Sequence, residues 1–201
     1  MAIYNRLGSY DEQQKAIRGE CVPRTLDCSV ALAALIQGTR LHYDFANTEA
    51  VICHSRLNDE VARARNARLI VSNEIPDSMD EESEQQPYCI WYPDLATEET
   101  CRTLFSKYPN MRYQIGRACA AAGYYTLYKE LSLLPDVSIA EEARESRTEG
   151  GRQIYNDIMN AEFPYAVIDD SQRQIAIDFD TVLAEHPAYL NGDTEVRWRP
   201  N

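Results

Sequence analysis

Residues 119–131 read CAAAGYYTLYKEL: four small residues, a glycine, two tyrosines, then apolar Leu127, Tyr128 and Leu131 at helical spacing. The small residues predict a helix that lets a neighbour approach closely. Gly123 suits the left-handed turn that ends such a helix, because a Cβ would penalise that conformation. The stretch therefore reads as helix, turn, helix: Arg112 to Ala122, then Tyr125 to Leu131. Its second half recurs on either side. Leu104-Phe105 with Tyr108, Leu127-Tyr128 with Leu131, and Ile154-Tyr155 with Ile158 share one pattern, with starts 23 and 27 residues apart. A unit of that size cannot bury its apolar stripe alone and must stack on its neighbours.

The flanking signals fit this layout. Thr97 precedes Glu98 and Glu99, an acidic first turn that complements the helix dipole, and Tyr108-Pro109-Asn110 ends that helix. Leu134-Pro135-Asp136 resets the chain before a helix over Ile139 to Glu145. A loop through Gly150-Gly151 then leads into Gln153 to Met159. Further on, Tyr165, Val167, Ile175, Ile177 and Phe179 alternate around Asp169-Asp170-Ser171-Gln172, which predicts a β-hairpin. The end from His186 to Asn201 is polar and has no period.

Upstream, Leu26 to Gln37 is apolar on nearly every face and reads as a helix, with Asp27 as N-cap and Gly38 as terminator. Leu41, Tyr43 and Phe45 alternate with polar residues and suggest a short strand. Thr48 and Asn58 are placed to cap two more helices, the second running to Val71 with Arg63, Arg65 and Arg68 as solvated side chains. Residues 77–86, DSMDEESEQQ, hold five acids and no base. Such a run has too little apolar surface to offset its ordering entropy and reads as an exposed, mobile linker. Cys89 to Tyr92 reads as a short strand. The expected organisation is an N-terminal helical region (1–76), the linker (77–87), helical repeats (88–161) and a C-terminal β-hairpin and tail (162–201). The fold class is mainly α: stacked antiparallel helical hairpins with a small C-terminal β element.

The chain has 201 residues, 44% hydrophobic and 26% charged, which is enough apolar material for a sizeable core. A net charge of −12 opposes nucleic acid and anionic lipid as partners, since a polyanion is repelled. The first residues lack the basic start and apolar run of a signal peptide. The expected setting is the cytoplasm, with six reduced cysteines; Cys28, Cys53, Cys101 and Cys119 fall in apolar or helical patterns, as small hydrophobes do.

Residues 119–131 resemble ankyrin-type repeats: a small-residue helix, a glycine turn and a second helix. Residues 139–155 repeat the layout, Ile139 matching Ile115 and Ala143 matching Cys119. The stretch from Tyr108 to Arg144 is also similar to ankyrin-like proteins of filamentous fungi. The spacings are shorter than the roughly 33-residue ankyrin period, and the family's Thr-Pro-Leu-His turn is missing, so hairpins of an ordinary α domain remain the alternative. The resemblance implies an interaction scaffold that binds a protein partner without a cofactor. Its exposed candidates are Arg112 and the turn tyrosines Tyr124 and Tyr125, since loop-tip aromatics anchor partners at modest entropic cost.

A competing enzyme reading rests on residues 175–183, IAIDFDTVL, which resemble the first motif of haloacid-dehalogenase-type phosphatases. The resemblance implies Asp178 as nucleophile, Asp180 as general acid and base, and magnesium as cofactor. The family's downstream lysine and acidic pair have no counterpart in the 21 residues after Asp180. Other chemistry is weaker still. Cys53-His54 are helix neighbours pointing about 100° apart, no cysteine or histidine spacing suits a metal, and Gly150-Gly151 lacks the lysine of a phosphate-binding loop.

Overall fold

Gly123 does take the left-handed conformation (φ 80°) and closes a helix over Arg112–Ala122. The structure, a computed structural model, describes residues 2–26, 28–79, 84–169, 173–175 and 182–183. The chain divides into two compact units, Met1–Asp94 and Leu95–Asn201. The division falls after Asp94, beyond the acidic stretch expected to act as linker. Of that stretch, Met79 is buried, Glu84 pairs with Arg63 at 3.0 Å and the Gln85 carbonyl accepts from Asn66; residues 80–83 lie outside the described residues.

The first unit contains α1 (Ala2–Ile17), α2 (Ser29–Leu41), α3 (Tyr43–Ala46), α4 (Glu49–Ser55) and α5 (Asp59–Val71). Leu35, Phe45, Val51 and Val61 form a buried cluster contributed by α2 to α5. Thr48 and Asn58 cap α4 and α5 through their side-chain oxygens, as their positions in the sequence suggest. Three expectations fail here for physical reasons. Gly38 lies inside α2, where a Cβ would overlap the Ala16 carbonyl of α1; it serves close helix contact and does not end the helix. The alternation of Tyr43 and Phe45 belongs to a single helical turn, with Phe45 buried and Tyr43 exposed, and not to a strand. Residues 89–92 form no strand: Arg40 donates to the carbonyls of Cys89 and Tyr92, each at 2.8 Å, and shapes them irregularly.

The α5 arginines also differ from a solvated face. Arg68 is nearly buried and reaches Asp94 at 2.9 Å and the Leu41 carbonyl, while Arg65 donates to the Ala46 carbonyl at 3.1 Å. They tie irregular segments to α5. Asp27 lies outside the described residues, and Cys28 precedes α2 without a side-chain cap.

The second unit contains α6 (Glu98–Lys107), a 3₁₀ turn (Pro109–Met111), α7 (Arg112–Ala122), α8 (Tyr125–Glu130), α9 (Val137–Ser146) and α10 (Glu149–Met159). Thr97, Asp136 and Thr148 cap α6, α9 and α10. The hairpins α7–α8 and α9–α10 stack, with α7 packed on α9 and α10 packed on α8. Leu104, Leu127 and Ile154 are fully buried on α6, α8 and α10. Gly150 and Gly151 belong to the first turn of α10 and not to a loop; the α7–α8 turn presses on Gly150, and a Cβ at Gly151 would overlap Ser146 Oγ and the Ala143 carbonyl of α9. A Cβ at Gly150 would overlap the Gly123 carbonyl. Between α7 and α9, Arg117 and Glu142 form an ion pair whose side chains are only 3% and 12% exposed.

The C-terminal β element consists of two short antiparallel pairs. β1 (Tyr165–Ala166) pairs with β4 (Val182–Leu183), placing Tyr165 opposite Leu183; β2 (Ile168–Asp169) pairs with β3 (Gln174–Ile175), placing Ile168 opposite Ile175. Ile177 and Phe179 lie outside the described residues. Asp136 anchors this element. Its buried carboxylate accepts the amides of Ser138 and Ile139 at 2.9 and 3.1 Å on one oxygen, and those of Val167 and Ile168 at 2.7 and 3.3 Å on the other. Burial pushes the Asp136 carboxyl above its ordinary value, against the pull of the four amides.

The cysteines divide by burial. Cys28 and Cys53 are exposed, contrary to the small-hydrophobe expectation, because they sit at the start of α2 and on the outer side of α4. Cys101 and Cys119 are buried between helices. Burial pushes the Cys101 thiol up to about 12 and the Cys119 thiol up as well.

Asp136→Ala would leave four amide donors without their acceptor, at about 1–3 kcal/mol for each one that stays dry. Calorimetry should show the transition of the second unit destabilised by at least about 3 kcal/mol. Asp136→Asn, which keeps one acceptor oxygen, should fall between; an unchanged transition would remove Asp136 from this role. For the thiols, a fold that holds the protonated form loses stability as pH rises above the unfolded thiol range. Each such thiol weakens folding by up to about 1.4 kcal/mol per pH unit until its folded value is reached. Near neutral pH a thiol reagent should label Cys28 and Cys53 rapidly and reach Cys101 and Cys119 only on unfolding. Rapid labelling of Cys101 in the folded chain would contradict the packing described.

Candidate functional site

The polar surface of α6, α8 and α10 follows a rule that emerges when their motifs are aligned on Leu104, Leu127 and Ile154. Two residues before the aliphatic stand Arg102, Tyr125 and Arg152; three residues after it stand Lys107, Glu130 and Asp157. The first two of the earlier residues each bond the later residue of the next motif. Arg102 pairs with Glu130, and the Tyr125 hydroxyl donates to Asp157 at 3.0 Å. Lys129 adds a second bond to Asp157 at 3.1 Å and lies 6.0 Å above the Tyr125 ring; Arg102 also holds Glu98 at 2.9 Å. Equivalent motif positions thus bridge α6 to α8 by an ion pair and α8 to α10 by a hydroxyl–carboxylate hydrogen bond. These pairs are partly exposed, so each adds little stability; they fix register.

This network absorbs part of the expected binding set. Tyr124 follows the Gly123 turn, but its hydroxyl donates to the Ala96 carbonyl at 3.0 Å, and burial raises its pKa. Tyr125 begins α8, half-buried, and its hydrogen bond to Asp157 raises its pKa. Tyr124 is thus tied to the segment before α6 and Tyr125 to α10. Arg112 begins α7 and lies 5.8 Å from the centre of the Tyr113 ring. Asp178 and Asp180 lie outside the described residues.

No single motif marks Arg102, Glu130 or Asp157. A charge or hydroxyl two residues before each buried aliphatic, with an ionisable group three residues after it, was the available signal. Among the described residues, no group of three or more His, Cys, Asp or Glu side chains is placed to hold a metal ion, and no helix is long and apolar enough to cross a membrane. A surface cavity of about 630 Å³ lies in the first unit and is lined by Arg56, Arg65, Asn66, Glu74 and Asp77 among others. A smaller one, about 280 Å³, lies at the α9–α10 edge between Arg144, Arg147, Arg152 and Tyr155.

Comparison with known proteins gave no match among curated proteins and none among solved structures. A family model did match, over residues 91–195, a span that begins close to the boundary between the two units. It covers more than half of the 201 residues, and the chain accordingly belongs to the YKP1 C-terminal domain family.

Proposed function

We propose that this protein is a non-enzymatic protein-interaction module whose binding surface is carried by the helical hairpins of the second unit. The observation that carries the reading is the twice-repeated pairing across α6, α8 and α10. It holds three helices in fixed register and gives an extended surface of set spacing, which suits recognition of another protein more than enclosure of a small substrate. Contact residues on this reading are Arg112, Tyr124 and Tyr125. Tyr125 offers its ring face and Arg112 its charge, while Tyr124 contributes through the turn that it holds. The partner is a protein, and neither nucleic acid nor a membrane surface suits a chain with a net charge of −12.

Quantitative affinity capture tests this directly, with wild type compared against an Arg112→Glu/Tyr125→Ala double variant. Partners held by this surface should fall by about tenfold or more, roughly 1–2 kcal/mol for the aromatic anchor, with the thermal melt little changed. Capture indifferent to the double variant would remove this surface. Magnesium-dependent hydrolysis of a phosphate ester by the wild type, abolished by Asp178→Asn, would replace the whole reading with an enzymatic one.

A further inference from the structure

Between α4, α5 and the segment that follows α5, the first unit holds its cavity of about 630 Å³, within the roughly 300–1,000 Å³ of small-molecule sites. One wall is fixed against α5: the Gln85 amide donates to Asp59 at 3.1 Å, and the Gln85 carbonyl accepts from Asn66 at 3.0 Å. Ile52, Leu69 and Pro76 supply apolar lining, half-buried in the first case and buried in the other two. The ionisable side chains that line the cavity are two of each sign, Arg56 and Arg65 against Glu74 and Asp77. Two of them are already committed. Arg65 donates to the Ala46 carbonyl and to Asn47, and Glu74 accepts the Tyr43 hydroxyl. The side chains of Arg56 and Asp77 pair neither with each other nor with any other described residue. Asn66 is only 6% exposed, its nitrogen is held by Gln85, and its oxygen has no donor among the described residues. A nearly buried amide oxygen that lines a cavity in this state marks a place for an N–H group.

We infer that this cavity binds a free α-amino acid with an apolar side chain. The ligand's ammonium group donates to Asn66 Oδ1 and to the Asp77 carboxylate, and the Arg56 guanidinium donates to its carboxylate. Its side chain lies against Ile52, Leu69 and Pro76. The charges of the lining select a zwitterion over other small molecules. An anion would meet Glu74 and Asp77, and a cation would meet Arg56 and Arg65. A wholly apolar ligand would shut Asn66 Oδ1 away from water without a donor. The site lies in the first unit and stands independently of the interaction surface proposed for the second.

Isothermal titration of the full chain with L-leucine, L-methionine and L-phenylalanine tests this. At least one of them should bind saturably at concentrations up to about 10 mM. Its C-terminal amide, which lacks the carboxylate, and its N-acetyl form, which lacks the ammonium group, should each bind about tenfold more weakly. Arg56→Gln and Asp77→Asn should each weaken the parent amino acid by a similar factor. Neither side chain has a described partner to lose, so the thermal melt should stay in place. The amide should bind Arg56→Gln no worse than it binds the wild type, because the contact that the variant removes is one that the amide never makes. No saturable binding by any of the three amino acids, or binding indifferent to both Arg56→Gln and Asp77→Asn, would overturn the proposal and leave the interaction reading of the second unit untouched.

Discussion

Asp136 is the constraint on which the second unit depends. A buried carboxylate is costly unless its lone pairs are filled, and here four backbone amides from two distant segments fill them. Two of the amides belong to the first turn of α9, where a negative charge also meets the positive end of the helix. The other two belong to residues 167 and 168, about thirty positions later. One side chain therefore starts the second hairpin and pins the β element against its base, with the Tyr165 amide bonded to the Pro135 carbonyl at 2.7 Å beside it. At the opposite end of the hairpins, Gly123 meets Gly150 and Gly151 with no room for a Cβ. The stack is thus fixed at both ends, by a carboxylate at one and by backbone contact at the other.

Much of this was legible in the sequence. The Arg112–Ala122 helix, the left-handed Gly123, and the Thr48 and Asn58 caps follow from local chemistry, and local chemistry is what a sequence displays. What escaped was decided at a distance. Gly38 and Gly150 look like breakers until a facing carbonyl shows why a side chain is excluded. Leu134-Pro135-Asp136 reads as a simple reset, and nothing nearby shows that Asp136 waits for amides thirty residues away. The polar row across α6, α8 and α10 was written in the sequence but only in the alignment of three motifs, none of which marks Arg102 or Asp157 alone. Asp178 and Asp180 lie outside the described residues, so the enzymatic alternative rests on its sequence motif alone.

The same geometry links stability to function. The buried Arg117–Glu142 pair and the small residues of α7 hold the inner helices close, while exposed pairs on α8 and α10 set register at little energetic gain. A surface built this way keeps its spacing without relying on the strength of any one contact. On the proposed interaction-module reading, that register is what would present the outer helices to a partner at set spacing.

Amide hydrogen exchange tests the central claim, that Asp136 makes α9 and the β element one cooperative body. The Ser138, Ile139, Val167 and Ile168 amides should open together, with a single free energy close to that of the α9 interior. Free exchange at Val167 and Ile168 while Ser138 and Ile139 stay protected would show that the two segments are not joined through Asp136.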